Sequence, residues 1–206
     1  MRKRVVITGM GVAAPNAHGL DNFEQALREG RSGIRFQPLL EELKFGYQIA
    51  GVPENFDVIR KSYFDHEKLM SINDNIGYAS VSAVDAWTDA GFSMPDSNDE
   101  TVDWDTGVIA GSGIGGMETI AQSVVPMINE GRVRRMGSRI VEQVMNSGTS
   151  ARIGGLIGAG NQVTSNSSAC STGNEAIIEA LWRIRMGLAK RMIAGGSEGA
   201  TPYIWG

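Results

Sequence analysis

Three stretches of the chain repeat one pattern, a short run of β-branched and aliphatic residues that ends directly in glycine. They are Arg4-Val5-Val6-Ile7-Thr8-Gly9-Met10-Gly11, Gly107-Val108-Ile109-Ala110-Gly111-Ser112-Gly113 and Arg191-Met192-Ile193-Ala194-Gly195-Gly196. Unbroken apolar runs of this length predict strands buried on both faces, as in a sheet sandwiched by helices. Gln162 to Asn166 is a fourth strand candidate. Helical periods lie between them. Asp21 is read as the cap of a helix through Leu27, with Glu24 completing a capping box. From Ile76 to Ala90, apolar or small residues at 76, 79, 80, 83, 84 and 87 keep a helical period that stops before Gly91. Ser138–Met145 and Ser150–Leu156 read as shorter, Gly-interrupted helices. A last helix runs from about Cys170 to Met186, with Ile177, Leu181, Ile184 and Leu188 as its apolar stripe. Residues 93–105 form an acidic, turn-rich loop. The alternation predicts a layered α/β fold with no linker along the chain.

Composition narrows the function classes. The chain has 206 residues, 42% of them apolar and 20% charged, enough for one domain with its own core and unlike a disordered tail. A net charge of −4 argues against a molecule built to coat nucleic acid. No run approaches the roughly 18 apolar residues of a membrane span. The basic start Met1-Arg2-Lys3-Arg4 meets glycine too early for a signal peptide. A single cysteine, Cys170, excludes an internal disulfide and points to a reducing compartment, the cytoplasm. Gly is the unusual residue at 27. It falls at the ends of apolar runs, which suggests strand-to-loop turns.

Two motifs mimic known chemistry. Gly9-Met10-Gly11-Val12-Ala13-Ala14 has the spacing of a dinucleotide fingerprint, but Pro15, Asn16 and Gly19 separate it from the next helix. A tight turn beneath the sheet is the simpler reading. Gly195-Gly196-Ser197-Glu198-Gly199 has the spacing of a hydrolase elbow. No His follows it, since His18 and His66 are the only two. Both histidines read as surface or structural residues, and no Cys/His cluster has metal-ligand spacing. No metal or cofactor is implied.

Ser167-Ser168-Ala169-Cys170-Ser171-Thr172-Gly173 lies between a short strand and a helix. A cysteine in a helix's first turn faces the positive end of the macrodipole, which favours thiolate. Small neighbours leave room for a carbonyl, and free backbone N–H groups there are placed to hold an oxyanion. An inert buried cysteine fits the local sequence equally well.

From Arg4 onward the chain resembles the first half of an elongating β-ketoacyl-acyl-carrier-protein synthase, a member of the thiolase superfamily. The resemblance is carried by Val6-Ile7-Thr8-Gly9-Met10-Gly11, Leu27-Arg28-Glu29-Gly30-Arg31-Ser32-Gly33-Ile34, Gly111-Ser112-Gly113-Ile114-Gly115-Gly116, Ser168-Ala169-Cys170-Ser171-Thr172-Gly173 and Ala194-Gly195-Gly196-Ser197-Glu198, in the family's order and spacing. It implies a thiolase-like fold, a mixed sheet covered by helices, as the incomplete first half of an α/β/α/β/α architecture. Residues 1–206 would be the N-terminal synthase domain, with the C-terminal half absent. The implied activity is decarboxylative condensation of malonyl-carrier protein with an acyl group held on Cys170, in fatty acid elongation. Cys170 would be the nucleophile and its own N–H an oxyanion donor. Ile114 resembles the gate of the acyl pocket. Residues around Arg139 and Ile140 resemble the segment that lines the neighbouring subunit's pocket, without the family's aromatic side chains.

The family's two catalytic histidines lie in its second half, and neither His18 nor His66 sits in their motifs. The chain by itself is therefore expected to be inactive in condensation. The partners implied are acyl- and malonyl-loaded acyl carrier protein and a second copy of the chain, paired through the Gln162–Asn166 strand. Arg132, Arg134 and Arg135, joined by Lys68 and by Arg60 and Lys61, are candidates for meeting an acidic carrier. Two rival readings share the fold. One is a non-catalytic chain-length partner or a subunit of a polyketide or aryl-polyene ketosynthase, and such partners typically replace the cysteine retained here. The other is a thiolase-like enzyme acting on coenzyme A thioesters.

Overall fold

The computed structural model describes residues 4–96 and 99–205. The basic start Met1-Arg2-Lys3 and the Ser97-Asn98 step of the acidic loop lie outside the described residues. At the centre is a three-stranded parallel sheet in the order β6–β5–β7: β5 Thr106–Gly111, β6 Val163–Thr164 and β7 Arg191–Gly196. β5 and β7 pair over six residues from Thr106↔Arg191 to Gly111↔Gly196, whereas β6 contributes only two. All six residues of β5 are buried. Its alternation splits them between two cores, as a strand covered on both faces requires. Val108 and Ala110 face α5 (Asp74–Asp89) and α9 (Ser147–Ile157), packing with Ala83, Trp87, Ile153 and Ile157. Ile109 faces α10 (Thr172–Arg185), where it meets Ala176 and Ala180. Burying each of these branched side chains contributes about 1.5–3 kcal/mol.

The rest of the chain decorates this unit. A hairpin of β1 (Ala13–Ala14) and β2 (Ala17–His18) leads into α1 (Leu20–Arg28). β3 (Ile34–Phe36) pairs antiparallel with β4 (Ile49–Gly51) around α2 (Pro38–Glu42). α3 (Phe56–Tyr63) and α4 (His66–Leu69) precede α5, and Phe56 closes on Tyr78 with ring centroids 4.4 Å apart. After β5 come α6 (Met117–Thr119), a π turn over Ile120–Val124, α7 (Val125–Asn129) and α8 (Arg139–Val144). Pro126 has no N–H to give the preceding turn, which accounts for the widened helix just before it. No helix among the described residues is long and apolar enough to cross a membrane.

Four sequence expectations are corrected. Val5–Thr8 forms no strand, because no described segment pairs with it and β propensity needs a partner to act on. Val6 and Ile7 are exposed, and the segment runs instead along α5, where the Met10 N–H donates to Asp89 Oδ2 at 2.9 Å. Gly9 and Gly11 are therefore sites of close approach rather than a tight turn: a Cβ on them would lie 2.2 Å from Ala86 O and 2.0 Å from Ser82 O. α1 starts one residue before Asp21 with Gly19 (φ 79°) at its cap position and no side-chain cap, while Glu24 pairs with Arg28. On α10 the sheet-facing stripe is the small pair Ala176 and Ala180, and Ile177 and Leu188 stand half-exposed. The helix start runs close to β7, since a Cβ on Gly196 would come within 3.0 Å of the Gly173 nitrogen. That leaves no room for large side chains between them.

Candidate functional site

In a parallel sheet the chain leaves each strand at the same end, so the loops after β5, β6 and β7 meet there. At that end Gly111–Gly116, Asn166–Gly173 and Gly195–Glu198 converge. The approach is close enough to exclude side chains: a Cβ on Gly111 would sit 1.9 Å from Asn166 O, and one on Gly113 would lie 2.9 Å from Glu198 Oε2 and 3.4 Å from Ala169 Cα. The glycines noted in the sequence at strand ends are required by this convergence.

Cys170 occupies the middle of a 3-10 turn, Ala169–Ser171, that leads straight into α10, and it is exposed. Ala169 carries φ +49°, a left-handed conformation that costs a non-glycine residue about 1–2 kcal/mol. Bonds around it hold it there. Thr172 Oγ1 donates to Ala169 O at 2.8 Å and accepts the Ser168 N–H at 2.8 Å, and Asn166 Nδ2 donates to Thr172 O at 2.7 Å. Ser167 Oγ reaches across to Gly113 O at 3.2 Å, and Ser168 Oγ donates to Glu175 on the first turn of α10. The result is a sharp elbow that presents Sγ to solvent ahead of a fourteen-residue helix. Of the two readings the local sequence left open, the buried inert cysteine is not the one this geometry fits.

The remaining candidate residues fall in different places. Ile114 lies at the tip of the glycine loop, 46% exposed, beside the elbow. Ile140 is on α8, one turn before Gln143 and Val144, whose backbone packs on Gly116. The loop thus links the two acyl-pocket candidates physically. Arg132, Arg134 and Arg135 lie in and around an exposed 3-10 turn. Arg132 is paired with Glu130, whereas Arg134 and Arg135 have no ion-pair partner among the described residues. Lys68 pairs with Asp65 at 3.2 Å and borders a groove of about 440 Å³ between α4, α8 and α9 that also takes in Arg152 and Glu142. Cys170 is not part of that groove. Arg60 does not join the basic set, because Asp57 and Asp74 hold it.

His18 is structural. Its Nε2 lies 3.2 Å from Asp85 Oδ2 and 3.2 Å from Tyr63 Oη, and Tyr63 donates to Asp85 Oδ1 at 2.7 Å. Burial and the Asp85 carboxylate hold the Tyr63 phenol protonated, well above its usual range. His66 is exposed at the start of α4. Ser197, the centre of the hydrolase-like motif, donates to Asn75 O at 2.9 Å, and the residues directly after it are not helical, a 3-10 turn forming only at Pro202–Ile204. A feature no spacing announced is the Asp57–Arg60–Asp74–Glu118 cluster. Burial and the neighbouring Asp74 charge raise the Glu118 carboxyl to about 7.

A family model described as "Beta-ketoacyl synthase, N-terminal domain" matches residues 2–205. The 3-oxoacyl-[acyl-carrier-protein] synthase 2 of Staphylococcus aureus (strain N315) is 31% identical over 202 residues, covering 98% of this chain and 47% of that protein. The Vibrio harveyi enzyme of the same name is 29% identical, covering 97% and 46%. The chain spans about half the length of the curated relatives it matches. Among solved structures, a β-ketoacyl synthase from Burkholderia phymatum STM815 superposes with TM-score 0.74 at 28% identity, over 92% of this chain and 45% of that one. The ishigamide ketosynthase/chain length factor gives TM-score 0.83 at 24% identity, over 98% and 49%, a likeness of fold.

Proposed function

The chain belongs to the β-ketoacyl synthase family, whose N-terminal domain it matches along almost its whole length, and from that premise we propose that residues 1–206 are the nucleophile-bearing domain of a 3-oxoacyl-acyl-carrier-protein synthase. Its task is to accept an acyl group from a carrier-protein thioester and hold it on Cys170 for condensation with a malonyl-derived carbanion. The observation that carries this reading is the exposed Cys170 at a strained elbow, walled by the glycine loop that bears Ile114.

The acyl-transfer step follows from that placement. The Cys170 thiolate attacks the thioester carbonyl, and a tetrahedral oxyanion forms at the start of α10. The Cys170 N–H and the positive end of the helix stabilise the new charge. Collapse of the intermediate breaks the bond to the carrier sulfur, which leaves as a thiolate and is protonated from solvent, and the acyl chain remains as a Cys170 thioester. Ile114 and Ile140 border the space for that chain. Arg134 and Arg135, free of intramolecular partners among the described residues, meet the acidic carrier together with Arg132 and Lys68. The open edge of β6 pairs with the same strand of a second copy, giving a homodimer. The decarboxylating histidines of the reaction are not supplied by His18, which Tyr63 and Asp85 engage, or by His66, which stands exposed at the start of α4. A non-catalytic chain-length partner on this fold would not need an exposed thiol at the elbow.

Acyl transfer is tested by incubating the purified protein with an acyl-carrier protein and weighing it intact. The expected result is one added acyl group, lost on hydroxylamine treatment and absent in Cys170→Ser. Reversing Arg134 and Arg135 to Glu slows acylation from the carrier protein and leaves acylation from a small acyl thioester unchanged. No acylation from either donor overturns the function, and equal loss from both overturns the basic patch.

A further inference from the structure

The Gly195–Gly199 motif is left over once the hydrolase reading is set aside, and its one charged residue is bound into the site. Glu198 Oε1 accepts the Ser112 hydroxyl at 2.6 Å, and Oε2 accepts the Gly113 N–H at 2.9 Å. Ser112 is 1% exposed, and its Oγ in turn accepts the N–H groups of Gly115 at 2.8 Å and Ile114 at 3.3 Å. One carboxylate and one hydroxyl therefore take up three consecutive backbone N–H groups. The loop is pinned on its other side by sterics: a Cβ on Gly115 would lie 2.1 Å from Asn146 Oδ1, and one on Gly116 would lie 2.0 Å from Gln143 O. The next carbonyl link, Gly113 O to Ser167 Oγ, ties the same loop to the cysteine elbow.

We propose that Glu198 is a positioning residue that fixes the Ile114 loop against the Cys170 elbow and so sets how long an acyl chain the site admits. This rests on the acyl-transferase reading above. Charge-assisted bonds from a carboxylate to backbone N–H are the stronger kind. A loop of four glycines has no side-chain packing of its own to define it. Without the carboxylate, Ser112 Oγ loses the acceptor that orients it, the N–H groups of residues 113–115 turn to water, and Ile114 no longer holds one position. Glu198 does not touch the acyl group. Its effect passes through Ile114.

The experiment uses Glu198→Ala and Glu198→Gln with two readouts. The first is the ratio of Cys170 acylation rates with a long and a short acyl thioester. The second is hydrogen exchange over residues 111–116. In Glu198→Ala the long-to-short ratio rises about fivefold or more, and loop exchange accelerates about tenfold. Glu198→Gln, which keeps an acceptor for Gly113 and a partner for Ser112, stays within about twofold of wild type in both. Should Glu198→Ala not fold, Glu198→Asp carries the same test with smaller shifts in the same direction. An unchanged ratio in a variant whose loop exchange has risen overturns the specificity role. Unchanged loop exchange overturns the positioning itself. Loss of acylation in the wild type with accelerated loop exchange in the variant instead overturns the function and leaves the positioning standing.

Discussion

The two ends of the central sheet are closed by opposite means. At the end where β5 and β7 begin, side chains do the closing. Arg191 Nη2 pairs with Asp103 Oδ2 at 2.6 Å, its Nε donates to Thr106 Oγ1 at 2.9 Å, and Thr106 donates to the same carboxylate at 2.6 Å. Asn161 bonds Trp104 O and Leu188 O and accepts from Arg183, and the Arg191 guanidinium lies 5.1 Å from the Phe92 ring centre. At the end where the strands finish, the closing is done by backbone. Glycines let three loops approach to distances no side chain tolerates, and a few polar side chains define them, Glu198 and Ser112 on the glycine loop and Asn166, Ser167 and Thr172 at the elbow. A side-chain network fills its end and leaves nothing to react. A backbone convergence keeps its end open, and that is where the thiol is exposed.

If that contrast is right, the finishing end tolerates substitution least. Gly111→Ala carries the largest expected effect, because its Cβ would have to displace the Asn166 carbonyl from 1.9 Å. It is expected to lower unfolding free energy by about 3 kcal/mol or more and to reduce Cys170 acylation with it, read by urea melts and intact mass. Equal stability of Gly111→Ala and wild type would break the comparison.

Asp103→Ala tests the other end. It removes the acceptor shared by Thr106 and Arg191, and because both charged side chains are about one-third exposed the loss is about 1–2 kcal/mol. Acylation of the folded protein is expected to remain at the wild-type rate. A drop in acylation larger than the drop in folded fraction would mean that the two ends are not independent.

A pH-dependent effect sharpens the picture away from both ends. Glu118 titrates near 7 in the fold and near 4.5 when unfolded, so the unfolded chain loses this proton first as pH rises. The unfolded state is then favoured progressively from about pH 4.5 through 7. Glu118→Gln is expected to raise Tm at pH 8 by a few degrees and to leave it unchanged at pH 4. Equal shifts at both pH values would show that burial of this carboxyl, beside Asp74, is not the cause.

Much of the site was legible in the sequence because its chemistry is local. Cys170, its small neighbours and the glycine loop are contiguous strings, and their spacing carried the family resemblance before any contact was known. Ile114 stands out on the same string, and the structure places it on the exposed tip of the glycine loop. Glu198 stands out in the sequence only as part of a motif, since its two partners lie 85 and 86 positions earlier and no local pattern links them. The Asp57–Arg60–Asp74–Glu118 cluster has no local signature for the same reason, so the sequence offers Arg60 to an acidic carrier although two carboxylates of its own chain hold it.

What the sequence by itself determined is the type of the elements that surround the site and the glycines between them, because helical period, strand alternation and backbone freedom are properties of neighbours along the chain. The helix from Asp74 to Asp89, the buried run of β5 and the turn into α10 all follow from that. Only the tertiary structure decided which faces are covered. Val5–Thr8 has the composition of a strand and no partner, and α10 turns Ala176 and Ala180 rather than its larger residues to the sheet. Burial is settled by the distance between elements, and at the start of α10 that distance is set by Gly173 against Gly196, two residues far apart in sequence that no periodicity connects.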